Sequence, residues 1–127
     1  MRKLSIGVAA ALLVGALGAP AFAATETLKG QIIDEDCYAK DKANNQGNDH
    51  KMPADTANCA VGCAKSGAPM ALLTADGKIY TIKGDLAANK NAKLVAHVTH
   101  TVEITGDVTS ANGKMSIAAA DLKMVSR

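Results

Sequence analysis

MALLTADGKIYTIKG, Met70–Gly84, carries the strongest local signal in the chain. Two β-rich runs flank Asp76-Gly77, a dipeptide favoured in tight hairpins because both central residues of such a turn need positive φ. Further strands appear on either side. Upstream, TLKGQII (Thr27–Ile33) alternates Leu28, Gly30 and Ile32 against Lys29 and Gln31, as a half-buried strand does. Downstream, HVTHTVEITGDV (His97–Val108) sets Val98, Val102 and Ile104 against Thr99, Thr101 and Glu103. Asn112-Gly113 is a second hairpin signal, and MSIAAADLKMV (Met115–Val125) reads as the last strand. Between the third and fourth strands, DLAANKNAK (Asp85–Lys93) reads as one or two helical turns with Asp85 as N-cap. Five short strands with a helix before the fourth is the order of an OB-type barrel, and a small open sandwich is the competitor. The helix placement favours a mainly β, five-stranded OB-like barrel.

The first 23 residues read as a secretory leader. Arg2 and Lys3 precede an uncharged apolar run, Leu4–Leu17, and Ala21-Phe22-Ala23 supplies the small-x-small cleavage pattern. The run is short for a membrane span, and neither a stop-transfer segment nor a lipid-accepting cysteine follows it. The expectation is a periplasmic or secreted chain, cut after Ala23, with residues 24–127 as a single domain and no membrane anchor. Taking Arg2 and Lys3 from the 14 basic residues leaves 12, against 12 acidic. A neutral domain has no electrostatic footprint for nucleic acid. The mature core is nearly free of aromatic residues, since Phe22 departs with the leader and only Tyr38 and Tyr80 remain. A cross-link or a metal would help so small a core.

The chemistry concentrates in an insertion between strands one and two, residues 38–69. Its first part, AKDKANNQGNDHKMPADTAN, lacks hydrophobic periodicity and reads as a loop. Asp41, Ala43 and Asn45 do not make a calcium-loop spacing, and no closing Glu follows. NCAVGCAKSGAP (Asn58–Pro69) then reads as a helix over 57–66, capped by Asp55, Thr56 or Asn58 and stopped by Gly67 and Pro69. On that helix Cys59 and Cys63 lie on one face, about 5–6 Å apart at Cβ, which is wide for a disulfide wanting roughly 3.8 Å. The face points at a third group, and Cys37, at the end of strand one, is the candidate. Cys59 in the first turn would feel the helix dipole, which lowers a thiol's pKa.

Three readings follow for Cys37, Cys59 and Cys63. A disulfide from Cys37 to Cys59 or Cys63 would staple the loop, worth roughly 3 kcal/mol, and leave one thiol over. A soft-metal site would use all three thiolates with His50 or Met52 as a further ligand, and such ligands select copper first and zinc second. A thiol–disulfide exchanger is the third reading, although CxxxC is not the thioredoxin spacing and no βαβ pattern surrounds it. Weaker metal-ligand candidates are Asp34, Met70, His97 and His100. The two histidines, three apart on a strand, would face opposite sides unless a bulge intervened. No Ser/His/Asp triad, phosphate-cradling loop or nucleophile elbow is present, and no catalytic residue is assigned.

Asp34–Cys37, Cys59–Cys63, Gly67–Pro69 and Leu73–Tyr80 together form a wider pattern. It resembles small exported bacterial proteins of OB-like type, which carry an Asp-x-x-Cys element, a Cys-Ala-x-x-Cys helix with a Gly-x-Pro stop, and a Leu-Thr-x-x-Gly-x-x-Tyr hairpin. The resemblance implies fold and location rather than an activity. A more distant likeness is to exported OB-fold copper and silver chaperones. Their thioether and imidazole ligands sit on barrel strands, whereas the sulfurs here lie in the insertion. The favoured expectation is a small exported protein that binds copper or zinc. Its alternative is a disulfide-stapled module for an exported protein partner.

Overall fold

The computed structural model describes residues 23–40, 42 and 54–127, with side chains in the helix starting at 54 described from residue 60 onward. The leader, His50 and Met52 lie outside these residues, as does the side chain of Cys59.

Six strands form one sheet: β1 (Ala24–Asp34), β2 (Met70–Thr74), β3 (Ile79–Lys83), β4 (Thr101–Ala111), β5 (Lys114–Ala118) and β6 (Leu122–Ser126). The sheet order is β1-β2-β3-β5-β4-β6, and β1 also pairs with β4. That second pairing closes β1-β2-β3-β5-β4 into a five-stranded barrel. All its pairings are antiparallel except β3 with β5, where Tyr80 faces Met115 and Lys83 faces Ala118 in parallel register. The expected OB-like barrel is therefore the architecture, with β6 added outside the closed ring.

Closure makes β1 and β4 bend, and glycine permits it. Gly30 is paired on both edges, with Thr74 of β2 and Val102 of β4. A Cβ there would stand 2.4 Å from the Leu73 carbonyl oxygen, closer than any side chain can sit. Gly106 does the same for β4 between its β6-paired and β5-paired halves, where a Cβ would meet the Ala118 oxygen at 2.3 Å.

The barrel interior is aliphatic. Ile32, Leu72, Ile82, Val102, Ile104 and Ile117 are at most 3% exposed, and Leu86, Leu94 and Val98 close it from the connection after β3. Each such side chain contributes about 1.5–3 kcal/mol by leaving water. A second cluster lies on the outer side: Ile33 and Ala71 are covered by Tyr38 of a short helix, α1 (Glu35–Lys40). The adjacent pair Ile32-Ile33 thus serves two apolar layers, one on each face of β1.

Several local expectations need correction. The last strand is two strands: Ala119 leaves β5 by bonding Lys83 O and accepting from Leu86 N, and β6 then pairs with the start of β4. Asp85 is no N-cap. It lies inside a 3-10 turn, Gly84–Ala87, whose N-cap is Lys83 with no side-chain cap bond, and Asn89, Lys90 and Asn91 follow at φ of 52°, 55° and 58°. At the first hairpin only Gly77 has positive φ, 84°, so the turn closes through Gly77 N to Thr74 O and Thr74 N to Lys78 O. Asn112-Gly113, with φ of 53° and 75°, is the two-residue turn in which both are positive.

Candidate metal centre

Two helices of the insertion position the sulfurs. The first is α1, and Asp34 starts it. The Asp34 Oδ1 accepts hydrogen bonds from Asp36 N and Cys37 N, both at 3.1 Å, which is the side-chain cap that ends β1 and begins the helix. Cys37 consequently lies in α1 and not at the end of strand one as its place after TLKGQII suggested.

The second helix is α2 (Ala54–Ser66). It begins before the expected caps Asp55, Thr56 and Asn58, which are residues of its body. Cys59 falls in the second turn of this helix and not in the first. The C-terminus is as the sequence requires. Gly67, at φ 90°, donates to Ala64 O at 3.0 Å, and Ala68 N donates to Cys63 O at 3.0 Å. These two bonds make a Schellman end, and they fix Cys63 four residues before Gly67. Ala60 and Ala64, both at most 1% exposed, let α2 sit closely on the core and leave Cys63 half-buried at its margin.

Asn91 holds this helix end in place, and no pattern in the sequence marks it. Its Nδ2 donates to Ala64 O at 3.0 Å and to Ala68 O at 2.8 Å, from a residue that is 3% exposed. The positive φ of Asn91 turns the side chain toward α2. Asn is among the residues that tolerate this conformation, which is the one signal the sequence offered.

The outcome is a cluster. One carboxylate oxygen of Asp34 and the sulfurs of Cys37 and Cys63 all lie within 4.8 Å of one another. Asp34 is 1% exposed and both cysteines are half-buried. Thiolates sharing a zinc ion at about 2.3 Å stand roughly 3.8 Å apart, so a small contraction brings these atoms to ligand spacing. The three groups can hold a metal ion. Cys37 and Cys63 are not joined by a disulfide in this structure.

Among the described residues Asp34 forms no ion pair. Next to it, Glu35 turns away to the outer face of the sheet. Its Oε1 meets Lys114 Nζ at 2.6 Å and its Oε2 accepts from Thr81 Oγ1 at 2.9 Å. This hydrogen-bonded carboxylate raises the pKa of Lys114 above its ordinary value of 10.5.

The weaker candidates separate. Met70 is 1% exposed within the barrel core, packed with the aliphatic residues. His97 and His100 do not lie on a strand: His97 ends a 3-10 turn, Val95–His97, and β4 starts only at Thr101. Neither belongs to the Asp34 cluster. Among the described residues no helix is long and apolar enough to cross a membrane. In comparisons with known proteins, no family model, no curated protein and no solved structure matches the chain.

Proposed function

We propose that this protein binds a single thiophilic metal ion through Cys37, Cys63 and Asp34, as a carrier or sensor after export. The observation that supports this reading is the convergence of three ligand atoms within 4.8 Å from the end of β1 and two separate helices. Two cysteine sulfurs and a nearly buried carboxylate oxygen are three donor atoms of the type a thiophilic cation takes, and binding would release the thiol protons.

Cys59 is the natural fourth ligand. It sits four residues before Cys63 on α2, hence on the same helix face one turn away. Asp34 alters the metal preference expected from sulfur alone. Carboxylate oxygen with thiolates suits zinc, whereas copper(I) prefers an all-sulfur or sulfur–imidazole set. We therefore place zinc ahead of copper.

The test is metal content and thiol count on protein purified from the exported fraction under reducing conditions. One equivalent of zinc, released on chelation together with newly reactive thiols, is the expected result. Metal-free protein that takes up neither zinc nor copper(I) would end this reading. Recovery of the chain only from the cytosol, with the leader intact, would end the export part of it.

A further inference from the structure

We propose a second metal site, made by His97 and His100, that accepts a divalent ion preferring imidazole and is separate from the thiol cluster. The two ring centroids lie 5.9 Å apart with planes at 73°. A nitrogen about 2.1 Å from an ion puts its ring centroid roughly 3.2 Å away, so two imidazoles sharing one ion stand about 5–6.4 Å apart. The observed separation is inside that window.

The backbone is built to hold the pair. His100 N donates to His97 O at 2.9 Å, and the turn between them passes through Thr99 at φ 71°. A β-branched residue in this region is strained, and such strain persists only where the surroundings enforce it. Here they do so: Thr99 is 5% exposed, its N–H donates to Ile32 O at 2.8 Å, and its carbonyl accepts from Gln31 Nε2 at 2.9 Å. Strand β1 thus locks the turn that sets the rings side by side.

One ring nitrogen of the pair stands out among the described residues. His97 Nδ1 is buried and has no hydrogen-bond partner among the described residues. Buried imidazole nitrogens are ordinarily satisfied, and one without a partner among the described residues is suited to a metal. His97 also borders a surface cavity of about 270 Å³ lined by Leu86, Lys93, Asp121 and Leu122. Lys93 holds Asp121 at 3.1 Å, so the acid on that wall is already paired.

The experiment is nitrogen NMR of the imidazole rings in the reduced, full-length protein, titrated at neutral pH with zinc to beyond two equivalents. The His97 and His100 nitrogens are expected to shift together, in a step distinct from any response of the cysteines. His97→Gln should weaken that step at least tenfold while the response of the cysteines remains. Unresponsive His97 and His100 rings in folded, saturated protein would overturn the proposal, as would an unchanged second step in His97→Gln. Because the ring signals are read in the unsubstituted chain, the outcome stands even if His97→Gln fails to fold. Loss of the thiol site would show in the cysteine response alone.

Discussion

Asp34 caps α1 and belongs to the proposed metal cluster, and a pair of substitutions separates the two roles. Its Oδ1 caps α1 through two bonds of 3.1 Å, while the carboxylate also stands within 4.8 Å of both sulfurs. Asparagine keeps the capping oxygen and ranks with aspartate as an N-cap, so Asp34→Asn should leave the stability of the metal-free protein within about 0.5 kcal/mol. Alanine keeps neither, and Asp34→Ala should cost about 1–2 kcal/mol through the lost cap. Metal binding should rank differently. A neutral amide is a poor ligand, so both variants lose affinity, by about 100-fold or 2.7 kcal/mol. Urea denaturation of metal-free, reduced protein reads the first effect, and competition with a chromophoric chelator reads the second. Wild-type metal affinity in Asp34→Asn would reduce Asp34 to a cap. Equal destabilisation by Asn and Ala would show that charge, and not the acceptor oxygen, starts α1.

Asn91→Ala removes two bonds to the end of α2 and places alanine at φ 58°, so thermal or urea unfolding should show a loss of about 2–4 kcal/mol. Asn91→Gly loses the same bonds without the backbone strain and should be less damaging than Ala by about 1 kcal/mol, with weaker metal binding in both because Cys63 rides on that helix. Gly30→Ala drives a Cβ to 2.4 Å from a backbone oxygen and should cost about 3 kcal/mol or block folding, seen as loss of the cooperative unfolding transition. The Glu35–Lys114 pair gives a pH prediction. Its raised lysine pKa means that its contribution is fully present below 10.5 and is lost as pH climbs through the higher folded value. Wild type should therefore lose stability relative to Lys114→Met only above about pH 10.5 in alkaline unfolding titrations.

The barrel was legible because its strands advertise themselves by alternation and turn chemistry. Leu28, Ile32, Val102 and Ile104 follow the period of two, and Asn112-Gly113 forms the turn such a pair forms. What failed to show depends on partners distant in sequence. Asp-x-x-Cys reads in the sequence only as part of a wider pattern, although it is also a cap with its third following residue on the first turn. The split between β5 and β6 arises because β4 offers one edge to two strands in succession, and nothing local in Met115–Val125 declares it. For the site, the approach of Cys37 to Cys63 of α2 was readable from helix spacing. The carboxylate that joins them was only a weak candidate, since its role depends on α1, which is too short to announce itself. Reading His97 and His100 as strand residues put them on opposite faces. The positive φ of Thr99, unexpected for a threonine, is what places them together.

X-ray absorption at the metal edge of protein loaded with one equivalent of zinc addresses the central claim most directly. A first shell of two or three sulfurs at about 2.3 Å with one or two lighter atoms at about 2.0–2.2 Å is the predicted result, with the sulfur contribution falling in Cys63→Ser. A shell of nitrogen and oxygen alone, unchanged in Cys37→Ser and Cys63→Ser, would contradict it.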